Sequence, residues 1–142
     1  MEFQVTFDAN DPSALADFWV AALNCRRDTP SEGFDSWDDF LKEAGVPEKD
    51  WNNADAIVPQ NGDGPRIYFQ KVPEEKRVKN RVHLDLRVAP GLKDIARMIE
   101  LEKKAKFLES IGASRVRRVD ADHLNVGFIV MVDPEGNEFC LD

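Results

Sequence analysis

The stretch RIYFQKVPEEKRVKNRVHLDLRV, residues 66–88, decides how this chain is read. It opens as a half-buried strand, with Ile67 and Phe69 to one side and Tyr68 and Gln70 to the other. PEEKRVKN breaks the alternation with a run of charge. RVHLDLRV then restarts it: Val82, Leu84, Leu86 and Val88 face one way, Arg81, His83, Asp85 and Arg87 the other. A strand that ends, a polar crossing and a fresh strand divide the chain in two, so each half can be searched for the same order of elements.

In the first half, FQVTF alternates Phe3, Val5 and Phe7 against Gln4, Thr6 and Asp8, the pattern of a first strand. Asp11-Pro12 is a helix start, a capping carboxylate followed by proline at the first helical position. Leu15, Phe18, Trp19 and Ala22 continue it as an apolar stripe, and Asn24 suits its left-handed end. A short strand is placed between Asn24 and Thr29. Ser36 and Asp39 form a capping box for a second helix carrying Trp37, Phe40, Leu41 and Ala44, stopped by Gly45 and Pro47. That helix is an insertion, and its aromatic stripe, with Trp51, is assigned to core in preference to a lid. DAIVP is a strand, and QNGDGP is a turn leading into RIYFQKV.

The second half repeats the order. RVHLDLRV is followed by a helix over residues 92–111, with Ile95, Met98, Ile99, Ala105 and Leu108 facing the core and Gly112 as its stop. SRVRRVD, VGFIVMV and EFCLD are strands, the last entered through the turn DPEGN. The expected fold class is α+β, two βαβββ modules: module one over 1–74 with an inserted helix near 36–45, a linker over 75–80 and module two over 81–142. Helix stripes and strand faces bury each other, so each module keeps its helix on one side of its sheet.

The opposite face carries Gln4, Thr6, Asp8, Tyr68, Gln70, Arg81, His83, Asp85, Arg87, Glu138 and Cys140. Sheets curved toward each other would enclose a hollow lined by these polar groups, as small-molecule sites are. The alternative is an open face meeting water. His83 has two readings: a general base suited to neutral pH, or a structural histidine paired with Asp85. Cys140 reads as a small buried group in preference to a nucleophile, and His123 in DADHLN as an exposed loop residue. Lys76, Lys79 and Arg81 either meet an anionic ligand or cross between modules in water.

Bulk composition narrows the classes. The 142 residues carry 27 acidic and 19 basic side chains, a formal charge of −8, which opposes a polyanion and argues against nucleic acid as partner. No run approaches the roughly 20 apolar residues of a membrane span, and MEFQVTFDAND has no signal-peptide pattern, so no membrane contact and a cytoplasmic location are expected. Cys25 and Cys140 lack CxxC spacing and are read as free thiols.

Three stretches, DPSALADFWVAAL, PRIYFQKVPEEKRVKNRVHLDLRV and FIVMVDPEGNEFCL, carry a resemblance over essentially the whole chain. The sequence resembles the vicinal oxygen chelate superfamily, which includes glyoxalase I, fosfomycin and bleomycin resistance proteins and extradiol dioxygenases, and is most similar to its glyoxalase-like domain proteins. The resemblance implies two βαβββ modules whose sheets pair into a cup, commonly around a divalent metal, in chains that commonly form a homodimer. The four ligand positions it implies fall on Gln4, on Tyr68 (or Gln70 after a two-residue shift), on His83 and on Cys140, where the family carries mostly histidine and glutamate. Only His83 keeps the usual ligand type.

This donor set departs from the family's imidazole and carboxylate. No cofactor is therefore expected, with a divalent metal as the alternative and Glu138 as a replacement oxygen ligand. The implied function is a glyoxalase-like enzyme for a carbonyl-containing or oxygen-rich small-molecule ligand. His83 would be catalytic, and Gln4, Tyr68, Gln70, Arg81, Asp85, Glu138 and Cys140 would contact substrate. The competing class is a non-catalytic protein that sequesters a small molecule or drug.

Overall fold

The computed structural model describes all 142 residues, in two compact units, Met1–Glu75 and Lys76–Asp142. The first runs β1 (Gln4–Ala9), α1 (Pro12–Leu23), β2 (Cys25–Arg27), α2 (Trp37–Glu43), a 3-10 segment (Glu48–Asn53), β3 (Ala54–Pro59) and β4 (Arg66–Lys71). The second runs β5 (Leu84–Leu86), α3 (Asp94–Ser110), β6 (Ser114–Val119), β7 (Phe128–Val132) and β8 (Glu138–Leu141). Each unit forms a four-stranded mixed sheet, ordered β1-β4-β3-β2 in one and β5-β8-β7-β6 in the other. In both, the first strand pairs parallel with the last and the other neighbours are antiparallel, so the repeat expected from element order is present in the pairing as well. No helix is long and apolar enough to cross a membrane.

The helix α1 forms where the caps and stripe dictate. Asp11 accepts the Ala14 amide at 3.2 Å, proline fills the first position, and Asn24 ends the helix at φ 54°. Its stripe of Leu15, Ala16, Phe18, Trp19 and Ala22 is buried on the sheet, where the Trp19 ring meets Phe7 at 5.4 Å and Phe7 meets Phe69 at 5.6 Å.

Three expectations need correction. The strand expected from residue 81 to 88 is only Leu84–Leu86 long, and Val82, placed toward the core, is 79% exposed. The reason lies in its partner. The parallel register sets Leu84 beside Phe139, so an earlier start would need Glu138 and Asn137, but the Glu138 amide donates to Asn80 Oδ1 and Asn137 is held by Asp133.

In α3, Ile95 and Ile99 are exposed at 77% and 48%, while Arg97 is buried with Met98, Leu101, Ala105 and Leu108. At about 100° per residue those two isoleucines lie roughly 110–150° from the buried stripe. The stripe runs through Arg97, a charged residue that periodicity passes over. Its guanidinium is satisfied by the Gly127 carbonyl at 3.0 Å, the Ala89 carbonyl and the Asp142 carboxylate. Finally, α2 keeps its Ser36 cap but buries no residue, so Trp37, Phe40 and Trp51 are not core.

Candidate functional site

Strand parity in the second unit sorts its chemistry. Leu84, Leu86, Ile129, Met131, Phe139 and Leu141 alternate with Asp85, Val130 and Cys140 along β5, β7 and β8. The ladder sets Asp85 beside Cys140, Cys140 beside Val130, and Val130 beside Arg117 on β6. These side chains therefore share one face. With His83, Phe128, Lys79 and Glu138 they line a cavity of about 380 Å³.

His83 stands one residue before β5, and its Nε2 lies 3.3 Å from Asp85 Oδ1, with the two side chains 44% and 53% exposed. The ligating atoms of His83, Asp85 and Cys140 all lie within 4.8 Å of one another. Burial, followed by the charge and hydrogen bond of Asp85, pushes the Cys140 thiol up to about 11, so the sulfur is protonated at neutral pH and is no nucleophile. Glu138 is ion-paired with Lys79, which holds its carboxyl below the ordinary range. Arg117 lines the same cavity and was not singled out from sequence; its alternation within SRVRRV was the available signal. Arg81 is exposed and outside this cavity, and Arg87 is spent on the Asp142 carboxylate at 2.6 Å.

The turn Asp133–Asn137 sets where β8 begins. The buried Asp133 carboxylate accepts the Glu135 and Asn137 amides at 2.9 Å each and the Asn137 side chain. Glu138 and Cys140 follow it directly, so this Asx turn positions both.

In the first unit, Gln4, Tyr68 and Gln70 share the polar sheet face, as parity required, with Gln4 beside Arg66, Thr6 beside Tyr68 and Asp8 beside Gln70. They are not brought to a common cavity. Gln4 Oε1 accepts Arg66 Nη1 at 2.6 Å, and Gln70 donates to Asp8 at 2.8 Å. Only Tyr68, with the Arg66 guanidinium 5.3 Å from its ring centre, lines the unit's cavity, a space of about 580 Å³ roofed by Trp37, Leu41 and Trp51.

The family's metal can be tested on these groups. Gln4 is a poor ligand, because its amide oxygen already faces a guanidinium cation. His83, Asp85 and Cys140 fit better: zinc takes imidazole, carboxylate and thiolate together, and its catalytic sites use three protein ligands with a fourth position open. Asp85 lies outside the four positions the resemblance supplies, so this trio is not the set the resemblance implies.

Comparisons with known proteins agree with the fold. Among curated proteins none matches. FosX from Listeria monocytogenes, a fosfomycin resistance protein solved as a point mutant with Mn(II) and 1S,2S-dihydroxypropylphosphonic acid, superposes with TM-score 0.61 at 10% identity, covering 97% of this chain and 85% of its own. FosX from Mesorhizobium loti gives 0.61 at 11% identity, covering 99% and 89%. A glyoxalase/bleomycin resistance protein/dioxygenase family enzyme from Burkholderia phytofirmans PsJN gives 0.63 at 14%, covering 97% and 94%. The family described as "Glyoxalase-like domain" matches residues 4–141, nearly the whole sequence, and the chain therefore belongs to that family.

Proposed function

We propose that this chain is a small-molecule enzyme acting on a carbonyl-containing or oxygen-rich metabolite, with His83 moving a proton and Asp85 holding its imidazole. The observation that carries the reading is the 3.3 Å approach of His83 Nε2 to Asp85 in the lining of the 380 Å³ cavity. In this reading Asp85 orients the imidazole through Nε2, which leaves Nδ1 as the acceptor. Proton removal beside a carbonyl leaves negative charge on oxygen, and Arg117 is the cation of this cavity best placed to meet it, since Lys79 is already paired with Glu138. Cys140, held neutral, donates its one S–H to the Asp85 carboxylate. Glu138, which lines the cavity, is assigned to substrate contact; Gln4, Tyr68, Gln70 and Arg81 do not line it and are given no role in this step.

The test is proton exchange in D2O with a panel of α-hydroxycarbonyl compounds, followed by NMR. The wild-type chain is expected to wash deuterium into the carbon beside the carbonyl, and His83→Ala to lose about 10²–10⁴-fold of that rate. Equal exchange by His83→Ala would remove His83 from the mechanism.

A second reading is favoured by the convergence of three donor atoms within 4.8 Å. In it His83, Asp85 and Cys140 hold a zinc-like divalent ion, which supplies Lewis acidity when bound, and Cys140 gives up its proton on binding. Metal analysis of protein purified without chelator decides between the readings. Near-stoichiometric metal that disappears in Cys140→Ser selects the second, and metal-free active protein selects the first.

A further inference from the structure

The cavity of the first unit belongs to neither reading. It lies where β2 stops at Arg27 and leaves the start of β3 paired with β4 alone, and the inserted segment of α2 and the 3-10 turn lines the space beside it. At about 580 Å³ it falls within the range of small-molecule sites.

Its walls are aromatic and fixed. Trp37 Nε1 donates to the Asp28 carbonyl at 3.0 Å and Trp51 Nε1 to the Val46 carbonyl at 2.9 Å, so both indole N–H groups are spent and the rings offer π surface. Its charge is unbalanced. Arg27 is neutralised by Asp17 and Asp55 and also donates to the Ser13 carbonyl; Arg66 is neutralised by Asp28 and donates to Gln4. Asp38 and Asp50 line the same space with no cation beside them, Asp50 accepting only a long 3.4 Å bond from Asn53. An anionic guest would meet two guanidinium groups already satisfied and two carboxylates that are not.

We propose that the first unit carries a binding site for an organic cation with an apolar body, an alkyl- or arylammonium ion, held between Trp37 and Trp51 with Asp38 and Asp50 as its counter-charges, the Tyr68 ring being already faced by Arg66. Quaternary ammonium recognition by aromatic rings works this way, through attraction to the ring quadrupole in a partly desolvated space. The site uses nothing from His83 and stands or falls separately from the proposed chemistry.

Benzyltrimethylammonium is the probe, titrated into the full chain labelled with 5-fluorotryptophan and followed by 19F NMR. Of the three tryptophans, Trp19 is fully buried in the core and reports the integrity of the fold. Saturable shifts of Trp37 and Trp51 with Trp19 unmoved are expected, with benzyl alcohol binding at least about tenfold more weakly. Trp51→Leu and the double variant Asp38→Asn/Asp50→Asn should each weaken binding about tenfold while Trp19 keeps its wild-type signal. His83→Ala should titrate as wild type. Absence of saturable shifts, equal binding of benzyl alcohol, or preference for benzylphosphonate would overturn the proposal.

Discussion

The two units share a topology and use it differently. In the first, side chains across the β1–β4 ladder tie one another down: Arg66 bridges Gln4 and Asp28, and Gln70 holds Asp8. In the second, the equivalent β5–β8 ladder sets Asp85 beside Cys140, with His83 close by. The same strand order places polar groups on the same kind of face. Whether those groups are available depends on what the neighbouring strand offers them. A salt-bridged face is chemically quiet, whereas a face where an imidazole, a carboxylate and a thiol converge retains capacity to bind or transfer.

The sharpest way to break this contrast is to delete one group from each face. His83→Ala should cost about 10²–10⁴ in turnover, and Gln4→Ala, which removes one partner of Arg66 but leaves its Asp28 ion pair and removes no proton carrier, should cost about tenfold or less, measured in the same exchange assay. Equal losses would mean that the two faces are not chemically distinct.

Cys140 sharpens the second face by its pH behaviour. With its thiol raised to about 11 from an ordinary value near 9, its thiolate fraction at neutral pH is about a hundredfold below that of an ordinary cysteine. Alkylation by iodoacetamide should be correspondingly slow and should climb about tenfold per pH unit until about pH 11. Because the folded state keeps this proton longer than the unfolded chain, the contribution is fully present below the unfolded value. It fades as pH rises from about 9 towards 11. Asp85→Asn removes the negative charge and should speed alkylation; an unchanged rate would place the cause in burial alone.

The repeat and most of the elements were legible in the sequence because each rests on local signals: the Asp11 and Ser36 caps, the alternation in β4, the DPEGN turn. What was missed rests on tertiary partners. Arg97 is charged yet forms part of the buried face of α3, because its acceptors come from residues 89, 127 and 142. The strand at His83 is short because Asn80 and Asp133 occupy the groups that would extend it. Arg117 and the paired state of Arg66 depend on cross-strand register, which no single strand encodes. Trp37 sits in a helical stripe of the sort that usually signals core, and only its place with Trp51 over β3 and β4 makes both walls of a cavity. The pairing of His83 with Asp85 was one of the two readings available from sequence, and their contact at 3.3 Å leaves the proton-transfer role to experiment.

Packing separates the units again at a glycine. Gly127 lies at φ +89°, and a Cβ there would meet the Met98 sulfur at 2.6 Å and the Ala121 amide at 3.3 Å. Both the backbone conformation and the space exclude a side chain, so Gly127→Ala should destabilise by about 1–3 kcal/mol in denaturant unfolding. Gly45, also at positive φ (+74°) but with open space around it, supplies the control in the first unit. Gly45→Ala carries the conformational cost alone, about 1 kcal/mol. A Gly127→Ala value no larger than the Gly45→Ala value would mean that Met98 moves aside freely.

Helix capping gives the smallest contrast. The helix α1 begins with Asp11 bonded to the Ala14 amide, whereas α3 begins at Lys93 with no side-chain bond to its first turn. Asp11→Ala should therefore cost about 1 kcal/mol, and Lys93→Ala less than about 0.5 kcal/mol. The bond from Asn52, then the Ala14 amide, holds the Asp11 carboxyl below its ordinary range, so its contribution is present above the unfolded value. It disappears as pH falls through the lower folded one. Asp11→Ala and wild type should accordingly converge in stability as acid is added, while the gap between Lys93→Ala and wild type stays flat. A gap for Asp11→Ala that persists into strong acid would show that the side chain acts through packing and that the amide bonds of the cap contribute little.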